Sequence, residues 1–355
     1  MVLALHFVGD TLPTNSFEAA LVRVCNFGMF GVDLFFVLSG FLITGILFES
    51  REKARYFRTF YARRALRIFP LYYAVLAAVF VAGAVVPALS GTAIDSVRRE
   101  QAWAWLYGVN ILDAVRGRYS FQYLDHFWSL AVEEHFYLFW PLVVWLCSRR
   151  ALMSVSLAIV LLSLGARVAS AEAGVAPIAL YVLTPFRLDA LCLGGFLAVW
   201  ARGPGGLEAV RAQSRWLGLA ALGAFATSYV YNRYSSVGWA GLHELRASLF
   251  AVLFVVLIVA ALTQGQGLLG RLFQSWATRQ LGKYSYGLYV FHHFISYYFQ
   301  THRTEWVVAG WVGSHTLAVA LQTIVGVAVS IAVAVASYHL FEARVLALKR
   351  YWAGA

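Results

Sequence analysis

The residues able to do chemistry lie in or beside apolar runs. Ionisable groups there are costly, so by default they face a protein interior and carry function. His6 is the first of them. A neutral imidazole takes a proton near physiological pH. Asp10, four residues on, shares its helical face and could fix its tautomer. The competing reading is a buried histidine bonded to a neighbour, with Asp10 marking a helix end. Asp33 stands near the outer end of the next apolar run, as a helix cap or as a site residue. Arg63, Arg64 and Arg67 precede a third run. On a helix, 63 and 67 are neighbours, as are 64 and 67. Guanidinium forks suit phosphate oxygens, although basic residues here also serve topology and lipid headgroups.

Glu133 and Glu134 are adjacent acids inside an apolar run. They point about 100° apart on a helix, so one can face a site while the other pairs structurally. Arg187 and Asp189 are two apart and do not face each other. Arg187 must therefore find its partner on another helix, and Glu133 or Glu134 is the expected one. Further along, Lys283-Tyr-Ser-Tyr-Gly-Leu-Tyr289-Val-Phe-His292-His293 offers histidines and tyrosines that suit sugar or thioester contacts, or equally an interfacial belt. There is no GxSxG elbow, no phosphate-cradling glycine loop with Lys and Ser/Thr, and no HExxH. Nothing suggests a bound metal or a resident cofactor.

The elements that carry these residues are membrane helices. Of 355 residues, 61% are hydrophobic and 13% charged, and the mean hydropathy is +0.69. A soluble chain carries about 25% charged residues, so this one lacks the charge to cover a watery surface. Its 12 Trp suit two membrane interfaces. Ten candidate spans follow: roughly 1–10 (short), 27–49, 69–90, 127–147, 151–171, 178–200, 215–232, 247–264, 283–301 and 317–341. No polar linker divides them, so residues 1–355 read as one domain. The net charge of +11 falls in short connections, the pattern that orients membrane helices rather than one that binds nucleic acid. Eighteen Lys and Arg lie on the side of the 51–67 connection and the C-terminal tail, against eight opposite. The expected fold is an all-α polytopic integral membrane protein of about ten transmembrane helices, with both termini cytoplasmic. Cys25, Cys147 and Cys192 form no disulfide or metal pattern.

Together these segments resemble the acyltransferase-3 family of membrane O-acyltransferases. The matching pieces are His6, GVDLFFVLSGFLIT at 31–44, RRALRIFPLYY at 63–73, WSLAVEEHFYLFWPL at 128–142, RLDALCLGG at 187–195, YSYGLYVFHH at 284–293 and SYHLFEARV at 337–345. They occur in family order and cover nearly the whole chain. The resemblance implies that His6 is the essential first-span histidine. It places Arg63, Arg64 and Arg67 near the acyl-CoA side, and Glu133 and Glu134 in the acidic pair after Trp128 and Ser129. Asp33, Trp128, Ser129, Arg187, Asp189, Tyr289 and His292 become candidates for contact with the acceptor. Ala343 stands where the family usually has proline.

The expected activity is transfer of an acyl group, from acetyl-CoA as co-substrate, to a hydroxyl of a carbohydrate-type acceptor at the inner (plasma) membrane. His6 acts as general base, oriented by Asp10, Glu133 or Glu134, and Arg63, Arg64 and Arg67 hold the donor's phosphates. Membrane lipids are the other expected partners. The alternative is a transporter or flippase of a lipid-linked sugar, against which no internal repeat is found. The first apolar run, about 12 Å at 1.5 Å per residue, is short of a hydrocarbon core of about 30 Å. A natural start further upstream is therefore expected, with a basic residue about ten positions before His6, as the family implies.

Overall fold

The computed structural model describes residues 1–85, 97–234, 240–263, 265 and 267–352. Every regular element among these residues is helical. After an opening turn at Val2–Ala4 and a π-helical turn at Leu5–Gly9, the principal helices are α1 (Ser16–Asn26), α2 (Gly31–Ser50), α3 (Tyr56–Val85), α4 (Val109–Arg116), α5 (Phe127–Leu146), α6 (Arg149–Glu172), α7 (Leu188–Trp200), α8 (Gly206–Tyr234), α9 (Ala240–Thr263), α10 (Trp276–His302), α11 (Thr304–Val312) and α12 (His315–Ser337). Among the described residues, five stretches are long and apolar enough to cross a membrane: Ser16–Ser50, Tyr56–Val85, Arg149–Glu172, Gly241–Thr263 and His315–Tyr351. The chain is thus a helical membrane protein. The end of the third expected span, 86–90, and the start of the loop after it, 91–96, lie outside the described residues.

Two elements depart from the sequence reading. The expected third span starts at 69, but α3 starts at Tyr56, so Arg63, Arg64 and Arg67 ride on the same helix as the apolar run. The expected single span at 178–200 is broken. A short helix at Pro177–Val182 ends, Thr184–Phe186 forms a 3-10 turn, and α7 begins at Leu188. Pro185 has no N–H to donate and disfavours helix at the residue before it.

Packing is tightest where glycine lets backbones meet. α2 and α7 lie side by side. A Cβ on Gly40 would collide with the Leu191 carbonyl, and one on Gly194 with the Val37 carbonyl. Small residues at such crossings are how helices approach without a side-chain layer between them. α8 pairs with α9, and α10 with α12.

Buried charges tie the bundle together. Arg187, 1% exposed, donates to Asp33 Oδ1 at 2.5 Å and joins α7 to α2. The expected pairing of Arg187 with Glu133 or Glu134 is therefore corrected: its carboxylate comes from α2. The break before α7 explains this, because it presents Arg187 at the helix start, level with the start of α2. Arg167 is fully buried on α6. It donates to Asp189 Oδ2 at 2.9 Å and to Ser248 Oγ at 2.7 Å, with Glu244 3.5 Å away. Three helices thereby share one guanidinium. At the N-terminal end, Glu18 accepts from the Thr14 N–H (2.6 Å) and from the Thr316 hydroxyl (2.6 Å), with His315 at 3.1 Å. This fastens α1 to the start of α12.

Candidate active site

His6 sits in the π-helical turn, where the Asp10 N–H reaches back to the Leu5 carbonyl at 3.2 Å. Such turns are rare and frequent at functional sites. The widened turn still brings His6 Nδ1 and Asp10 Oδ2 to 3.3 Å. With Nδ1–H donated to the carboxylate, Nε2 carries the free lone pair. Asp10 is one-third exposed and the His6 side chain 21% exposed, so the pair meets water at its rim.

Two buried histidines flank the His6 ring: His293 lies 4.9 Å from it and His292 5.3 Å, centroid to centroid. A third, His126, just before α5, lies 4.9 Å from His293 with its ring tilted and meets His292 edge-on at 5.4 Å. Each turns a ring nitrogen to a backbone carbonyl: His126 to Val290 (3.2 Å), His292 to Tyr289 (2.8 Å) and His293 to Gln122 (3.2 Å). In a neutral ring such a bond fixes the tautomer and leaves the other nitrogen an acceptor. His126 Nδ1 and His292 Nε2 are buried without a hydrogen-bond partner among the described residues. Two unmatched acceptors beside a basic imidazole suit an incoming hydroxyl donor. No group of three or more His, Cys, Asp or Glu among the described residues is spaced to hold a metal ion.

From this cluster a polar row descends α5. His126, Ser129, Glu133 and Tyr137 recur at helical spacing, so they share one face. The Tyr289 hydroxyl joins Ser129 Oγ (3.1 Å) and donates to the His126 carbonyl (2.6 Å). Tyr137 donates to Glu133 Oε1 at 2.6 Å and also meets Ser39. The row is about 16 Å long at 1.5 Å per residue. It ends at Arg64, whose guanidinium lies 4.0 Å over the Tyr137 ring. Arg64 is a cation facing both Glu133 and Glu134, and Glu134 Oε1 is buried without a hydrogen bond among the described residues. Trp128 packs on Tyr181 and Phe36.

At the far end from His6, Arg63 is exposed and Arg67 half-buried on α3. The C-terminal turn at Ala347–Trp352 packs on α3 and brings Lys349 to face Arg63, Arg64 and Arg67. The buried Glu342 lies beside Arg67.

The sequence-derived residues thus fall into three groups. His6, Asp10, His292 and Tyr289 come together around the histidine cluster, with Ser129 attached. Glu133 and Glu134 join Arg64 one to three turns away and have no contact with His6 among the hydrogen bonds and ion pairs of the described residues. Asp33, Arg187 and Asp189 are taken up by ion pairs between helices. Sequence reasoning missed His126 and Lys349, while His293 stood in the same motif as His292. His126 was detectable, since it stands on the same helical face as Ser129 and Glu133. Lys349 was not, because only the fold carries the tail back to α3.

Fold and site define a helical membrane protein with a histidine–carboxylate centre at one end and a cation cluster at the other. The chain belongs to the acyltransferase-3 family: the model of that family, described as an acyltransferase domain, matches residues 1–339. It is similar to the peptidoglycan O-acetyltransferase OatA of Listeria monocytogenes, 29% identical over 75% of this chain and 44% of the relative. It is also similar to the putative peptidoglycan O-acetyltransferase YrhL of Bacillus subtilis, 30% identical over 76% of this chain and 44% of the relative. A putative O-acetyltransferase of Staphylococcus aureus is 34% identical over 33% of the chain and 20% of its own length. The match therefore spans less than half the length of these relatives. No solved structure matches the chain.

Proposed function

We propose that this protein transfers an acetyl group from acetyl-CoA to a hydroxyl of a cell-wall glycan such as peptidoglycan. The observation that carries the reading is the His6–Asp10 pair, 3.3 Å apart, beside unpartnered buried acceptors on His126 and His292. The relatives, named as peptidoglycan O-acetyltransferases, support acetyl as the group and a glycan as the acceptor. They favour an enzyme over a transporter of a lipid-linked sugar.

In this mechanism Arg63 and Arg67, with Lys349, hold the donor's phosphates at the cytoplasmic end. The pantetheine arm lies along the polar face of α5, and the thioester reaches the histidine cluster. His6 Nε2 takes the proton of the acceptor hydroxyl as its oxygen attacks the thioester carbonyl. The tetrahedral intermediate collapses, the C–S bond breaks, and the proton passes from His6 to the departing CoA sulfur. Asp10 holds the tautomer and stabilises the imidazolium. Base catalysis of this kind contributes about 10²–10⁴-fold, and orientation of the two reactants supplies much of the rest. Arg64, held between Tyr137 and the acidic pair, shapes the corridor rather than the phosphate dock.

The proposed setting is the plasma membrane, with about ten spans and both ends of the chain in the cytoplasm. The donor dock then faces the cytoplasm and His6 the outer side, so the acetyl group crosses while the acceptor stays outside. The test is purified protein in lipid nanodiscs with acetyl-labelled CoA and soluble glycan strands released from peptidoglycan. Alkali-labile label on the glycan is the expected result. Label that stays on CoA while the protein is folded would overturn the proposal.

A further inference from the structure

His6 and Asp10 open onto a narrow cleft, with room for about one water-sized group, whose other wall comes from the end of α10 and from α11 and α12. That wall holds Ser296, Arg303, Glu305 and Gln322. None of these was singled out by motif, and none takes part in the proton transfer described above.

The wall is polar in a specific way. Arg303 adopts the left-handed conformation (φ 47°) that ends α10 and starts α11 in one residue. That sharp turn leaves its guanidinium half-exposed at the cleft mouth, 3.9 Å from Glu305 Oε1. Glu305 is 2% exposed, yet Oε1 has no hydrogen-bond partner among the described residues. Buried carboxyl oxygens are normally hydrogen-bonded, and an exception calls for an explanation. Gln322, 7% exposed, accepts the Thr304 hydroxyl at 2.7 Å through Oε1. Gln322 is also one of the residues that line the cleft. Ser296 leans on His293, with Oγ 3.5 Å from Nδ1, and so joins this wall to the histidine cluster.

We infer that Arg303, Glu305 and Gln322 form part of the acceptor subsite, which takes into this narrow cleft one hydroxyl of a sugar unit next to the one being acylated. Glu305 Oε1 accepts a hydrogen bond from that hydroxyl. Arg303 and the Gln322 amide donate to ring, hydroxyl or N-acetyl oxygens. The complementarity runs one way: a carboxylate with a free acceptor site selects a hydroxyl donor, and it disfavours an anionic or purely acyl ligand. A carboxylate at the first turn of α11 would by itself serve only the helix dipole. The cleft shared with His6 and the missing hydrogen bond distinguish it from that role.

The inference rests on the proposed glycan acceptor, and its test is separable from that reading. Binding of glycan strands released from peptidoglycan is measured by calorimetry, without donor, for the full chain and for Glu305→Gln, Gln322→Leu and Arg303→Asn. Asparagine tolerates the left-handed backbone at 303, and Glu305→Gln keeps the side-chain shape, so both variants should remain folded. At least a tenfold loss of glycan affinity is expected in Glu305→Gln and Arg303→Asn, with the KM for acetyl-CoA unchanged. Variants that bind glycan as the parent does, or a parent that binds none, overturn the subsite. A rise in the acetyl-CoA KM together with the loss of glycan binding would mark a structural role and also overturn it. Label transfer to glycan by the parent, with binding unchanged in the variants, would leave the acetyl-transfer reading standing and remove only this subsite.

Discussion

At the scale of single residues, the charges inside this bundle divide into those that hold it together and those left over for chemistry. Arg187 and Asp33 are the clearest of the first kind, each about 2% exposed and 2.5 Å apart. Removing one partner of a buried pair strands the other charge, which costs about 3–5 kcal/mol. Asp33→Ala should therefore lower the thermal midpoint sharply and reduce the amount of folded protein in the membrane. A variant of normal abundance and midpoint would show that the pair is not structural. Under the proposed function Arg63 and Arg67 are of the second kind. Neutralising both should raise the KM for acetyl-CoA at least tenfold and leave that for the glycan unchanged, and Lys replacements should restore only part because they lack the bidentate fork. An unchanged donor KM would return them to topology. The sequence exposed the residue types on both sides of this division but not the division itself. His6 with Asp10 was readable because four residues is a local spacing. Arg187 with Asp33 was not, since 154 positions separate them and the sequence pointed to the acidic pair on α5 instead.

At the scale of elements, hydrophobic runs located α2, α5, α6 and α12 to within about four residues, because a run of about 20 apolar residues has few alternatives, whereas α8, α9 and α10 each start seven to nine residues before their runs. The failures have physical causes. α3 begins thirteen residues before its apolar run, since arginines are good helix formers and do not stop a helix. The 178–200 run breaks at Pro185, where apolar content persists but the backbone cannot continue the helix. That break points Arg187 and Asp189 inward. The π-helical turn at Leu5–Gly9 was invisible to periodicity, which assumes 3.6 residues per turn. α5 organises the site: one face carries His126, Ser129, Glu133 and Tyr137, and links the histidines to Arg64.

At the scale of the whole molecule, function requires two ends with different chemistry. The proposed orientation puts Arg55, in the connection before α3, in the cytoplasm and Arg118, after α4, outside. Both residues are exposed. In a background with Cys25, Cys147 and Cys192 replaced, a cysteine at 118 should react with an impermeant thiol reagent on intact cells, and one at 55 only after permeabilisation. The reverse pattern would invert the molecule and put His6 on the donor's side.

The central claim is that His6, positioned by Asp10, is the base for acetyl transfer. The most direct measurement compares label transfer from acetyl-CoA to glycan by the parent, His6→Ala and Asp10→Asn, each purified in nanodiscs and matched for thermal midpoint. His6→Ala should lose about 10²–10⁴-fold in kcat. Asp10→Asn should lose a smaller factor with the acetyl-CoA KM unchanged. A folded His6→Ala protein that transfers acetyl at the parent rate would contradict the account.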